Sequence, residues 1–175
     1  MKSLKIILNI YKSPNSILRK LIDDNKHLYL PMSAGSKLID GDAWCKKSLI
    51  FDKLLPDNIS HLNSKLNEMT SIYACWKNYE FMSAPDYIGY NHYRRFFDPR
   101  DFTDFREYDI IAGEKFKLHD TMLEQYKHVH HELDIEVLLG MLQQDFKKSD
   151  ILKFANAHEL FAPCNMFIMK RELFF

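Results

Sequence analysis

Four short apolar runs most constrain what this chain can fold into: Leu4 to Ile10, the run opened by Asp86-Tyr87-Ile88-Gly89-Tyr90, Tyr108 to Ala112, and Cys164 to Met169. Each has strand length and is rich in β-branched or aromatic residues. Helical periodicity lies between them. After the first run, a turn at Ser13-Pro14-Asn15 leads into a helix through Ile17, Leu18 and Leu21. A longer helix is expected from about His61 to Asn78. On it Glu68, Ile72 and Trp76 share one inward stripe, and Thr70, Tyr73 and Lys77 share an adjoining one. Residues 120–147 read as helix, and a last helix starts at Lys170. Residues 28–58 read as irregular, because Pro31, Gly35, Gly41 and Pro56 interrupt every period. Strands alternating with helices imply an α/β fold with helices on both faces of the sheet.

A chain of 175 residues, 46% hydrophobic and 27% charged, suits one globular domain over residues 1–175. Lys+Arg and Asp+Glu both number 24, so no global field draws in nucleic acid or a membrane; an anionic ligand needs a local cluster. Cys45, Cys75 and Cys164 have neither metal spacing nor a disulfide framework, which suits a reducing cytoplasm. The apolar core of MKSLKIILNIYKS is too short for a signal peptide, and no stretch approaches the roughly 20 apolar residues of a membrane span.

The densest polar group is His92-Tyr93-Arg94-Arg95, at the end of a strand expected to put Ile88, Tyr90, His92 and Arg94 on one face. Carboxyl ends of strands are where open α/β sheets bind ligands. Two guanidinium forks there suit phosphate oxygens, and His92 can donate a hydrogen bond or move a proton. The alternative is that the arginines pair with Asp98, Asp101 or Asp104 and tie down a loop. Asn58 and Ser60 occupy the expected N-cap. Glu68 beside Trp76 on an inward face calls for a buried Arg partner or a ligand hydroxyl. The spacing of His128 and His131 and the Asp40-Gly41-Asp42 pair are weak metal signals. An exposed helix face accounts for the first and a turn for the second. Gly-rich phosphate loops, serine elbows and the aromatic-basic pattern of nucleic-acid binders are missing from the sequence.

The order of these blocks carries more than any one of them. Asn58-Ile59-Ser60 with Asn63, then Glu68-Met69-Thr70-Ser71-Ile72-Tyr73-Ala74-Cys75-Trp76-Lys77-Asn78, then Asp86 through Phe97, then Asn165-Met166-Phe167-Ile168-Met169-Lys170 resembles a bacterial family of capsule, exopolysaccharide and lipopolysaccharide clusters. That family, long carried as a domain of unknown function, is associated with glycosyltransferase activity, including galactofuranosyl transfer. The resemblance implies a single GT-A-like (Rossmann-like) domain with a mostly parallel central sheet. It implies transfer of a hexose from a nucleotide-diphosphate donor to a lipid-linked or polysaccharide acceptor, in the cytoplasm or at the cytoplasmic face of the inner membrane, with no nucleic-acid partner. By the same resemblance Tyr11, Lys12, Asn63, Tyr93, Arg94 and Arg95 belong to the donor side and Asn165 to the acceptor side. Glu68, Asp86 and His92 are unranked candidates for the catalytic base. The residues themselves offer no tightly bound metal site, since Asp40 and Asp42 sit in an irregular segment and the His cluster lacks partners; Mg²⁺ or Mn²⁺ would arrive with the donor. The family places His before the lysine of its first strand-to-helix turn, where this chain has Tyr11 before Lys12. Members also continue into further helices past the Asn-Met-Phe-Ile-Met-Lys block, so the domain is expected to be incomplete at its C-terminus. The competing class is a non-catalytic remnant or a sugar- or nucleotide-binding accessory module.

Overall fold

Ile6, Ile7, Leu8 and Ile10 are wholly sealed from solvent, as a strand covered on both faces requires. This strand, β1 (Leu4–Asn9), is central to the sheet. The computed structural model describes residues 3–36, 38, 40–97, 104–161 and 165–175. Two compact units emerge, one of Met1–Ala112 with Cys164–Phe175 and one of Gly113–Pro163.

In the first unit, β1 leads through α1 (Ser16–Asp24) to β2 (Tyr29–Ser33), then α2 (Ala43–Ser48) and β3 (Ile50–Phe51). Two short helices follow, α3 (Asn63–Leu66) and α4 (Met69–Lys77), then β4 (Tyr87–His92) and β5 (Ile110–Ala112). The second unit contains β6 (Lys115–Lys117), α5 (Met122–Val129), α6 (Glu132–Leu142), α7 (Lys148–Ala155) and β7 (Glu159–Phe161). The chain ends in the first unit with β8 (Phe167–Lys170) and α8 (Arg171–Phe174). The six-stranded sheet runs β3-β2-β1-β4-β8-β5. Its first four strands are parallel, and β8 is antiparallel to both neighbours. The architecture is α/β with a mostly parallel sheet in a Rossmann-like arrangement.

The core divides on the pleat of β1. Ile6, Leu8 and Ile10 join Leu18, Ile22, Cys45 and Phe51 on one face. Ile7 joins Met32, Ala74, Cys75, Met82 and Tyr90 on the other. The chain winds outward from β1 to β3, then returns to place β4 on the opposite side of β1. That reversal is a topological switch point, where the loops after two strands splay apart and leave a crevice.

Several expectations need correction. The helix expected from His61 to Asn78 is interrupted: α3 ends before Asn67, whose φ is 47°, and α4 begins at Met69. The Asn63 side chain explains the break, donating its amide to Asn67 O at 2.6 Å and to Thr70 Oγ1 at 3.1 Å in place of a continuous helical ladder. Residues 28–58 are not irregular; they contain β2, α2 and β3. Pro31 is tolerated because β3 pairs only with Met32 and Ser33, so no bond on that side needs its missing N–H. The strand bearing His92 ends there; Tyr93 and Arg94 form a turn closed by a His92–Arg95 bridge. β5 is an edge strand with Ile110 half-exposed, not a buried one. Ile17 is 79% exposed, and Ile22 fills the core in its stead. Trp76 is also at the surface, with the Lys77 ammonium 3.8 Å over its ring.

In the second unit the expected 120–147 helix breaks at His130–His131. His130 stacks on Tyr126, and His128 sits 3.8 Å from Asp120. No group of three His, Cys, Asp or Glu converges on a metal-sized position among the described residues. None of the described helices is long and apolar enough to cross a membrane.

Candidate functional site

Where β1 and β4 end side by side, Asn9 is paired in register with His92. A cavity of about 170 Å³ opens there, lined by Asn9, Tyr11, Ala34, Asn63, Asn67, Glu68, His92, Tyr93 and Arg94. It is smaller than the roughly 300–1,000 Å³ of a pocket for a drug-sized ligand, so it suits one ring-sized piece of a larger molecule. A larger hollow of about 630 Å³ in the second unit is lined by Lys115, Lys117, Lys153, His158 and Glu159. Lys115 there is already paired with Glu159, and none of the sequence's candidate residues reaches it. The smaller cavity is the functional candidate because its chemistry converges.

One side of it is aromatic and cationic. The Tyr11 and Tyr93 rings stack with centroids 6.4 Å apart and planes 28° apart. The Arg94 guanidinium lies 5.3 Å from the Tyr93 ring centroid, and His92 packs against the same ring at 4.5 Å. Such a platform accepts a flat or ring-shaped group while holding a cation over it. Burial pushes the His92 imidazole below its ordinary range; the Arg94 charge adds to this, Glu68 opposes it, and Arg95 adds a smaller push. His92 Nδ1 accepts from the Arg94 backbone N–H at 3.3 Å, which leaves the neutral ring's proton on Nε2. In this tautomer His92 presents a donor, not a base.

The other side is rich in acceptors. Glu68 Oε1 accepts from Asn165 Nδ2 at 3.0 Å, joining two residues 97 positions apart. The protein partner of this carboxylate is thus the Asn165 amide and not the expected arginine. Asn165 itself has a φ of 49°, a left-handed conformation that asparagine tolerates better than most residues. Asn9 is 4% exposed, and its Oδ1 is buried without a hydrogen-bond partner. An unpaired buried acceptor costs about 1–3 kcal/mol.

Asp52, beneath this wall, is a residue that sequence reasoning missed. It is wholly buried and accepts from Gly35 N (2.9 Å), Lys53 N (2.7 Å), Ser60 Oγ (2.9 Å) and Thr70 Oγ1 (2.8 Å). A buried charge survives only with such a set of donors. No motif announced it, since its donors come from four separate segments; the one available signal was an acid between the apolar Phe51 and Leu54-Leu55. Ser60 therefore serves Asp52 and not a helix cap, while Asn58 Oδ1 accepts from Ser60 N at 3.2 Å.

The other candidates fall as follows. Tyr11, Asn63, Glu68, His92, Tyr93 and Arg94 meet at the cavity. Lys12 is exposed in the turn after β1 and does not line it. Arg95 is exposed, and its backbone N–H bonds His92 O at 3.1 Å. Asp86 does not belong: it precedes β4, about 20 Å from His92 at strand rise, and its Oδ2 accepts from Ser3 N at 2.8 Å and Ser3 Oγ at 3.1 Å. Of the proposed acidic partners, Asp104 pairs with Arg106, and Asp98 and Asp101 lie outside the described residues. Asp42 caps α2 through Cys45 N at 3.0 Å and pairs with Arg19, and these contacts hold its carboxyl well below the usual carboxylate range. The Asp40-Gly41-Asp42 segment is thus a turn and cap.

No curated protein and no solved structure matches the chain. A family profile does match it across residues 18–175, from α1 through every residue of the cavity except Asn9 and Tyr11. The chain belongs to that family, which is described as Domain of unknown function (DUF4422).

Proposed function

We propose that this protein is a glycosyltransferase of the GT-A type, moving a hexose from a nucleotide-diphosphate sugar to a glycan or lipid-linked acceptor in bacterial surface-polysaccharide synthesis. The observation that carries the reading is the convergence at the β1–β4 switch point. An aromatic–guanidinium platform (Tyr11, Tyr93, Arg94) faces a carboxylate (Glu68) held by an amide from a remote segment (Asn165). The leaving group of such a transfer is a nucleoside diphosphate whose developing charge needs fixed donors. Arg94 and the Nε2–H of His92 supply them. Mg²⁺ or Mn²⁺ carried in with the donor would share that charge. Glu68 is the general base for the acceptor hydroxyl, since its carboxylate keeps free lone pairs while His92 is committed as a donor. Asp86, at the opposite end of β4, is too far from the cavity to serve. The reaction belongs in the cytoplasm or at the cytoplasmic face of the inner membrane, where nucleotide sugars are available.

The test is sugar transfer from a panel of nucleotide sugars to membrane-extracted and soluble glycan acceptors. Arg94→Ala should lower kcat/KM by about 30-fold or more, the scale of one lost charge-assisted donor, and Lys should not restore it. Glu68→Gln should abolish transfer and leave nucleoside-diphosphate binding intact. If nucleotide sugars bind and no transfer occurs with any acceptor, the chain is a binding module.

A further inference from the structure

We infer that the Asn67 carbonyl and Asp52, the latter a positioning residue acting through Thr70, together fix the amide orientation of Asn63, so that the cavity presents acceptor oxygens matched to the hydroxyl groups of a sugar ring. The inference rests on the donor-site reading above and says which part of the donor lies where.

The polarity runs outward from Asp52. The Thr70 hydroxyl has two acceptors in reach, Asp52 Oδ2 at 2.8 Å and Asn67 O at 3.1 Å, and its hydrogen goes to the nearer carboxylate. The Thr70 oxygen is then left to accept from Asn63 Nδ2 at 3.1 Å. The second hydrogen of that amide goes to Asn67 O at 2.6 Å. Both amide hydrogens of Asn63 are therefore committed within the protein. Its Oδ1 accepts no hydrogen bond among the described residues, and Asn63 lines the cavity. Asn9, whose buried amide oxygen has no hydrogen-bond partner, lines the same cavity, and Glu68 adds a carboxylate.

Acceptor groups from three lining residues repel a phosphate, whose oxygens are also acceptors. They suit a ligand face that donates several hydrogen bonds, which is what the hydroxyls of a sugar ring do. The diphosphate belongs with Arg94 and His92 Nε2–H. A cavity of about 170 Å³ has room for one such ring.

The experiment is calorimetric titration of the full chain with nucleoside diphosphates and with the matching nucleotide sugars. Wild type should bind at least one nucleotide sugar about tenfold more tightly than its sugar-free diphosphate, a difference that two or three good hydroxyl contacts can supply. Asn63→Leu, Asn9→Leu and Asp52→Asn should each bring the two affinities to within about twofold of one another while the diphosphate affinity holds. Thermal unfolding reports which variants fold, and Asn9→Leu carries the test if substitution at Asp52 or Asn63 does not. If the sugar-dependent gain survives in the folded variants, or sugar and diphosphate affinities fall together, the wall does not read the sugar and the inference is overturned while the donor-site reading stands. If diphosphates bind and no nucleotide sugar does, the donor-site reading fails, and the inference with it.

Discussion

Gly35→Ala puts the packing beneath the cavity to a direct test. Gly35 follows β2 with a φ of 64°, where an L side chain costs about 1–2 kcal/mol. A Cβ there would lie 2.4 Å from both Cγ and Oδ1 of Asn63 and 2.6 Å from its Cβ. Neither partner can yield cheaply. Gly35 N is tied to Asp52 Oδ2 at 2.9 Å, and Asn63 is held by Asn67 and Thr70. Forcing a methyl into such packing costs about 1–3 kcal/mol more. The variant should therefore lose about 3 kcal/mol, roughly 10 °C in Tm for a folding unit of this size. Urea unfolding of four proteins (wild type, Gly35→Ala, Asn63→Gly and the double variant) separates the two contributions. In the Asn63→Gly background the overlap is gone, so Gly35→Ala should cost only the backbone strain, a coupling of about 1–3 kcal/mol. A single-variant loss under about 0.5 kcal/mol, or an equal loss in both backgrounds, would refute the packing and the Asp52–Thr70–Asn63 arrangement built on it.

Other outcomes follow from the same structure. The depressed folded-state pKa of His92 means the unfolded chain takes up a proton there more readily. Its contribution to stability is therefore present above about pH 6.5 and lost as pH falls through that value; NMR titration should place its imidazole below the free value, and His92→Gln should flatten that part of the stability profile. Tyr90→Phe removes a buried hydroxyl held by Ser71 Oγ at 2.8 Å and Glu68 O at 3.1 Å, and should cost about 1 kcal/mol in chemical unfolding. Cys45 and Cys75 are buried, and burial also pushes the Cys75 thiol far up, so alkylation mapped by mass spectrometry should leave both unmodified until the protein unfolds. Ile168→Ala empties a sealed position at the centre of β8 and should cost about 2–4 kcal/mol.

Wherever local pattern and burial agree, the sequence was readable. β1 is apolar on both faces because helices cover both, and the α1 cap at Asn15 is a side-chain oxygen accepting Leu18 N at 2.9 Å. The His92 strand was legible for the same reason, but its end was not. Aromatic and β-branched content continues through Tyr93, whereas the chain turns where β1 ends and offers no further partner. β2 escaped notice because Pro31 is ordinarily a strand breaker, and only the shortness of β3 makes it harmless here. The helix break at Asn67 depends on the Asn63 side chain competing with the backbone, a contest that periodicity does not register. In the site, Tyr93, Arg94 and Glu68 could be singled out because aromatic, guanidinium and carboxylate groups are costly to cluster without purpose. Asp86 misled because its sequence distance from His92 is small, while the strand between them carries it to the far end of the sheet. Asp52 acts through contacts that exist only once separate segments meet, and the Asn9 oxygen stands out only because the folded chain buries it without a partner.

The central claim is that the cavity at the ends of β1 and β4 is a nucleotide-sugar site. Its most direct test is chemical-shift mapping of the labelled protein during titration with the nucleotide sugar that binds best. Perturbations should centre on Asn9, Tyr11, Asn63 to Glu68 and His92 to Arg94, with His92 Nε2–H shifting as it meets the diphosphate. Saturable perturbations confined to other surfaces, or none from any nucleotide sugar at millimolar concentration, would contradict it.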